Sequence, residues 1–129
     1  MDQTTLHRLR AQDRSDLSTL LAAVNGAKRG LRLDECGDPT IFGSCGAIRA
    51  CGGTFHVYVA CRSPKAWTYA KRQLASFTTV HQDGDEEGVL ALSRLPDGTE
   101  AATLRDYIGL RQTREVSPWT MRSWKASLT

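Results

Sequence analysis

The chain has 129 residues and a mass of 14.2 kDa, which is the size of one domain with a single hydrophobic core. Its net charge of +3, from 17 Lys and Arg against 14 Asp and Glu, excludes both a polybasic tail protein and an acidic mimic of nucleic acid. Leu, Ile, Val and Phe contribute only 26 residues, close to the one-fifth level at which disorder becomes an alternative, so we expect a modest core.

The first predicted element is an amphipathic helix over residues 15–26, where apolar residues recur at the i, i+3, i+4 and i+7 spacing of one helix face. These apolar residues are Leu17, Leu20, Leu21 and Val24. Ser15 is the predicted N-cap, and Asn25-Gly26 supplies the left-handed residue that ends a helix. Residues 1–14 have few apolar side chains to bury, so we expect them either to extend the helix or to be mobile.

The next part of the chain carries β-prone runs separated by glycine-rich turns. Three strands are expected here, at residues 31–33, 40–42 and 47–51. Gly52-Gly53 then predicts a hairpin turn before a strand at residues 54–61, because both central positions of the favoured two-residue turn need positive φ. Alternation along that strand places four side chains on the core face: Phe55, Val57, Val59 and Cys61.

Ser63-Pro64 predicts the start of a second helix. Ser63 is the expected N-cap, and Pro64 occupies the first helical position, where its missing N–H costs nothing. The buried stripe of this helix is expected to consist of Trp67, Ala70 and Leu74. Its exposed side is basic and carries Lys65, Lys71 and Arg72.

A second hairpin is predicted from residues 77–82 and 89–92, joined by an acidic turn at residues 83–88. Its apolar content is expected to come from Phe77 with Val80 and from Leu90 with Leu92. The turn resembles the first half of a calcium-binding loop, but Arg94 stands where that loop needs a bidentate Glu, and the flanking segments are predicted strands. We therefore predict an acidic hairpin turn.

A third helix is predicted to start at Asp97, because Glu100 follows at the spacing of a capping box. Its buried stripe is expected to consist of Ala101, Leu104 and Ile108, and Gly109 ends it. Further along, Ser117-Pro118 repeats the cap of the second helix and predicts a short terminal helix that carries Trp119 and Trp124.

These elements predict an α+β fold with a small antiparallel sheet built from two hairpins, covered by three helices, and a basic C-terminal tail. We assign residues 15–110 to a single domain and residues 111–129 to a basic arm or short helix. No apolar run approaches the roughly 20 residues that cross a bilayer, and the first residues lack the features of a signal peptide. We therefore predict a cytoplasmic protein without membrane contact.

The four cysteines do not have zinc-site spacing. Eight, five and nine residues separate them, whereas a zinc knuckle needs pairs two to four residues apart. A disulfide between Cys45 and Cys61 depends on the hairpin: a three-residue turn would set them opposite one another, whereas a two-residue Gly52-Gly53 turn would set Cys45 opposite Ala60. Without an export signal, we expect reduced cysteines.

Catalytic motifs do not emerge from the sequence. The cysteines and histidines lack a recognisable triad order or oxyanion motif, and Gly43-Ser44-Cys45-Gly46 lacks the Lys-Ser/Thr of a phosphate-binding loop. The sequence therefore favours a protein without enzymatic activity, and we predict no cofactor and no metal.

The charge distribution favours a nucleic-acid partner. Residues 39–82 carry five basic residues and no acid, whereas residues 83–104 have a net charge of −5. A basic face on the second helix, with aromatic rings and a basic tail, can contact the phosphates and bases of DNA or RNA. The candidate residues are Arg62, Lys65, Lys71, Arg72, Arg111 and Arg114. The alternative is that Trp67, Trp119 and Trp124 are all core residues and that the Lys and Arg residues are merely solvated.

A protein partner is the alternative. The binding surface of such an interaction module, or inhibitor of a host protein, is expected at the acidic hairpin of residues 83–87 or at Trp119 and Trp124 in the tail. Capture of a protein partner in the presence of nuclease would favour this interpretation.

Three segments, residues 60–67, residues 81–88 and Leu95-Pro96, resemble small bacterial proteins with no established activity, some of them carried by phages or mobile elements. The resemblance covers roughly residues 38–117. It implies an accessory role, either association with DNA or inhibition of a host protein, and it implies no particular site residue.

Overall fold

The computed structural model describes residues 2–113, which form one six-stranded antiparallel sheet and three α-helices. The helices are α1 (Gln3–Ala23), α2 (Pro64–Gln73) and α3 (Gly98–Ile108). The strands are β1 (Leu31–Leu33), β2 (Pro39–Phe42), β3 (Gly46–Cys51), β4 (Thr54–Ala60), β5 (Thr78–Asp83) and β6 (Glu87–Leu92). Their order across the sheet is β1-β2-β3-β4-β6-β5, and the predicted α+β class is confirmed.

Helix α1 begins at Gln3, so residues 3–14 extend the predicted helix. Its N-cap is Asp2, whose carboxylate accepts a hydrogen bond of 2.7 Å from the backbone N–H of Thr5, and the prediction of Ser15 as N-cap was wrong. The apolar stripe locates only the part of a helix that packs on the core, whereas a polar first half needs no more than a cap and helix-forming residues. The stripe itself is buried as predicted.

The core face of the sheet is defined by one row of residues in register across four strands. Ile41 pairs with Ile48, Ile48 with Val57, and Val57 with Leu90, and all four are buried. Val80 continues this row on β5 but is 49% exposed, because β5 is an edge strand; its expected contribution to the core was wrong. The register of β5 against β6 also shifts between Val80 and Gln82.

Both predicted hairpins form, and they join through their inner strands. Gly52 and Gly53 have φ of 59° and 89°, which confirms the two-residue turn between β3 and β4. The other neighbour of β4 is β6 rather than β5. The later strand of the second hairpin therefore lies inside the sheet, and the earlier strand, β5, forms its edge. Strands β1 and β2 then extend the sheet on the opposite side.

Local capping signals place α2 and α3. The Ser63 hydroxyl accepts a hydrogen bond from the backbone N–H of Ala66, and Asp97 with Glu100 forms the predicted capping box. Gly109 ends α3 with a φ of 69°, in the left-handed region. The predicted stripes of both helices are buried.

All three helices pack on the same face of the sheet, because their buried residues form one cluster with the inward side chains of the strands. The other face carries the alternate residues, including Arg49, Tyr58 and Gln82, which are exposed. No helix within residues 2–113 covers that second face. None of the described helices is both long and apolar enough to span a bilayer.

Candidate nucleic-acid interface

The five cations of residues 39–82 do not form one surface. Arg49 lies on the sheet face opposite the helices, and its guanidinium is 3.3 Å from the carboxylate of Asp34. Lys71 forms an ion pair of 3.0 Å with Asp83. The remaining three cations are exposed and make no ion pair within residues 2–113: Arg62, Lys65 and Arg72.

These three cations and one tyrosine form what we call the α2 basic face: Arg62, Lys65, Tyr69 and Arg72. Lys65, Tyr69 and Arg72 stand at i, i+4 and i+7, so they share one stripe of the helix, and Arg62 precedes its N-cap. A shallow groove of about 660 Å³ runs along this stripe, and none of the described residues that line it is acidic. The α2 basic face is therefore a cationic surface with an exposed aromatic ring.

The position of α2 depends on Trp67, which is on the opposite stripe. Its ring is buried against β6, where Gly88 leaves the room that a Cβ atom would fill. The indole N–H donates a hydrogen bond of 2.7 Å to the carboxylate of Asp83. Anchoring one stripe of α2 in this way directs the other stripe into solvent.

Lys71, a predicted nucleic-acid contact, is neutralised by Asp83. Its ammonium lies 5.3 Å from the centre of the Trp67 ring as well as beside the carboxylate. The hydrogen bond from Lys71, followed by that from Trp67, lowers the pKa of Asp83 below its usual value, so its carboxylate keeps the negative charge that faces the Lys71 ammonium. Lys71 therefore flanks the α2 basic face without adding free charge to it.

The predicted contact Arg111 lies apart from α2. It lines a second groove with Arg29 and Arg32, and this groove shares no described lining residue with the α2 groove. Arg114, the remaining predicted contact, and the tail residues Trp119 and Trp124 lie outside the described residues.

Comparisons with protein-family models, with curated proteins and with solved structures found no match to this chain. The α2 basic face presents two kinds of chemical group, namely cationic side chains and an aromatic ring. Arg and Lys attract phosphate oxygens, and an exposed tyrosine ring offers a flat surface on which a base can stack.

Two sets of residues on the candidate surfaces were not predicted from the sequence. Tyr69 lies four residues after Lys65, so helical spacing was a signal that could have placed it on the basic stripe. Arg29 and Arg32 stand in a connector without a motif. They lie near Arg111 only in the folded chain, and no local sequence pattern predicts this cluster of three arginines.

The acidic turn is a hairpin turn, as predicted, with β5 and β6 on either side of it. Two of its carboxylates have intramolecular partners: Asp83 binds Lys71, and Glu87 accepts a hydrogen bond from the hydroxyl of Tyr58. That bond raises the pKa of Tyr58. Asp85 and Glu86, in the middle of the turn, are exposed and form no ion pair with another residue in the described part of the chain.

The register of the first hairpin determines whether Cys45 lies opposite Cys61, as a disulfide between them would require. Gly46 pairs with Val59, and the backbone N–H of Ala60 donates to the carbonyl oxygen of Cys45 at 2.9 Å, so Ala60 rather than Cys61 lies opposite Cys45. All four cysteines are free thiols. Residues 2–113 also hold no group of three or more His, Cys, Asp and Glu side chains arranged to bind a metal ion.

Proposed function

We propose that this protein is a nucleic-acid-binding protein that contacts its ligand through the α2 basic face and prefers single strands. The observation that carries the proposal is the position of Tyr69. Its ring is 58% exposed, and it lies on one helical stripe between Lys65 and Arg72. An exposed ring between two cations combines a stacking platform with two phosphate contacts.

The cations supply affinity without reading sequence. Arg62, Lys65 and Arg72 would each displace condensed counterions from a phosphate, so binding weakens as salt concentration rises. Three contacts with a single strand correspond to a slope of log K against log salt of about −2. Affinity is then expected to fall roughly 20-fold between about 50 and 200 mM salt.

Tyr69 supplies the preference for single strands. A base can lie flat on an exposed ring only if it is free of its own stack, and single strands meet this condition at little cost. A duplex offers its phosphates to the same cations but keeps its bases covered. Duplex DNA is therefore expected to bind through charge alone.

Fluorescence anisotropy with a labelled oligothymidylate, and with a mixed-sequence duplex as comparison, tests the proposal. The double variant Lys65→Gln/Arg72→Gln is expected to lose most binding at low salt, because it removes two of three phosphate contacts. A control of equal charge change is Arg8→Gln/Arg14→Gln, which alters two exposed arginines on α1 and is expected to bind like the wild type.

Tyr69 provides the sharper comparison. Tyr69→Ala is expected to weaken oligothymidylate binding by about 1–3 kcal/mol, whereas Tyr69→Phe keeps the ring and most of the affinity. Duplex binding should change little in either variant. The proposal is wrong if the wild type fails to bind at low salt, or if the α1 variant weakens binding as much as the α2 variant does.

A further inference from the structure

Three arginines gather around a groove that is separate from the α2 basic face. Arg29, Arg32 and Arg111 line an open groove of about 540 Å³, together with Phe42 and Ser44. The groove lies where the connector after α1, the loop between β2 and β3, and the end of α3 meet. None of the lining residues within residues 2–113 is acidic, so these residues give the groove a positive charge.

Backbone pairing brings the arginines together. The N–H of Ala27 donates to the carbonyl oxygen of Arg111 at 2.8 Å, and the N–H of Thr113 donates to that of Asn25 at 2.7 Å. These bonds hold the segment after α3 beside the connector that carries Arg29. Arg32 is placed by its own strand, and its guanidinium lies 4.9 Å from the centre of the Phe42 ring.

The floor of the groove is a close contact between two stretches of backbone. Ser44 and Cys45 donate their N–H groups to the carbonyl oxygens of Gly109 and Ile108, at 3.1 and 2.9 Å. A Cβ atom at Gly43 would overlap the carbonyl of Ile108, so only glycine allows this approach. Backbone hydrogen bonds therefore hold the loop between β2 and β3 against the end of α3 at the bottom of the groove.

The three guanidinium groups have no carboxylate partner within residues 2–113. Like charges around one concave surface repel, and a bound anion relieves that repulsion. Guanidinium groups match the geometry of phosphate oxygens and can donate two parallel hydrogen bonds to them. We propose that this groove binds the phosphate group of a phosphomonoester, whose two negative charges face three cations.

A terminal phosphate can come from a free nucleotide or from the end of a nucleic-acid strand. Both sources present the same dianionic group, whereas an internal phosphodiester carries a single charge. The groove and the α2 basic face share no described lining residue, so phosphate binding in the groove can be tested independently of the proposed function.

The test is an NMR titration of the ¹⁵N-labelled full chain at constant ionic strength, with inorganic phosphate as the first probe and chloride as the balancing anion. The amide signals of Gly30, Ser44 and Leu110 report on the groove, because these residues line it. Further arms compare adenosine 5′-monophosphate with adenosine, and a 5′-phosphorylated oligothymidylate with its 5′-hydroxyl form.

Saturable shifts of these signals with phosphate-bearing probes, and none with adenosine, are the expected result. Arg29→Gln/Arg111→Gln should weaken the response at least about tenfold. This variant keeps Arg32 over Phe42, so its fold is expected to remain intact. Arg8→Gln/Arg14→Gln, a control with an equal change of charge on α1, should respond like the wild type.

The remaining arms identify the source of the phosphate. Saturation by the mononucleotide indicates a free nucleotide, and a response confined to the phosphorylated oligonucleotide indicates a strand end. The proposal is overturned if no phosphate-bearing probe shifts the groove signals, or if the groove variant responds like the wild type. If the wild type fails to bind oligothymidylate at low salt but still binds phosphate in the groove, the proposed function is refuted and the phosphate site is retained.

Discussion

The ammonium group of Lys71 lies 3.0 Å from one carboxylate oxygen of Asp83 and 3.1 Å from the other. The same carboxylate accepts the indole N–H of Trp67, so one acidic side chain binds two neighbours on α2. Asp83 thereby holds the helix against the second hairpin and cancels one of its positive charges. The cationic strength of the helix surface is thus limited by a residue outside the helix.

Asp83→Asn is expected to strengthen nucleic-acid binding. The Asn side chain retains an oxygen for Trp67 but loses the charge that neutralises Lys71, so a fourth cation joins the α2 basic face. The slope of log K against log salt for oligothymidylate is expected to steepen by about 0.7. Anisotropy titrations at several salt concentrations measure this slope.

The matched control for this variant is Asp83→Asn/Lys71→Gln, in which the released cation is absent. Its salt slope should return to the wild-type value. Equal slopes for the wild type and the single variant would show that Lys71 does not reach the ligand.

Stability at acidic pH is expected to depend on Glu100. Hydrogen bonds from Arg94, from the backbone N–H of Asp97 and from Ser76 lower its pKa from 4.5 to about 2. A carboxyl whose folded pKa is depressed stabilises the fold fully above its unfolded pKa, and this stabilisation is lost as the pH falls toward the folded pKa. The contribution should therefore disappear between about pH 4.5 and about pH 2.

Glu100→Gln removes the charge and replaces one of the two oxygens that accept the 2.7 Å hydrogen bonds from Arg94 with an NH2 group, whereas the remaining amide oxygen can still serve in a capping box. The melting temperature of the variant should lie below that of the wild type at neutral pH and approach it near about pH 2. Circular dichroism melts across this range test the expectation, and parallel pH profiles would contradict it.

Gly109→Ala is expected to lower the free energy of unfolding by about 2 kcal/mol or more. The residue has a φ of 69°, which costs an L-amino acid about 1–2 kcal/mol, and its Cβ atom would also overlap the side chain of Ser44. Gly98→Ala is the control, because Gly98 is in a helix and a Cβ atom there meets nothing within 4 Å. Urea denaturation of both variants provides the comparison, and a loss below about 0.5 kcal/mol at Gly109 would contradict the prediction.

Cys61 is expected to be the slowest thiol to react with a disulfide reagent. Burial, followed by the neighbouring Cys45, raises its pKa and so lowers its thiolate fraction, whereas Cys36, Cys45 and Cys51 are exposed. Titration of the native protein should show three fast thiols and one slow thiol, and Cys61→Ser should remove the slow phase. A count below four in the denatured protein would indicate a disulfide and contradict the four free thiols of the structure.

The features that the sequence predicted correctly are local ones. Ser63, the Gly52-Gly53 turn and the Asp97 capping box each depend on a few consecutive residues, so their chemistry is visible in the sequence. The N-cap of α1 was missed because several polar residues upstream of Ser15 are equally able to begin a helix.

These local patterns do not predict contacts between residues that are far apart in the sequence. Nothing near β4 indicates that its second partner is β6, because the pairing depends on the order in which two hairpins pack. For the same reason, the bond between Lys71 and Asp83 and the meeting of Arg32 with Arg111 follow from tertiary structure. The stripe of Lys65 and Arg72 was predictable because helical spacing alone creates it.

The two edge strands bear on how this molecule behaves at high concentration. Strand β1 has only three residues, and the register of β5 is broken between Val80 and Gln82. A short edge and an irregular edge both interrupt the row of unpaired peptide groups that promotes edge-to-edge aggregation. Within residues 2–113, neither border of the sheet offers a long regular template for the addition of a strand from another molecule, which protects against fibril growth.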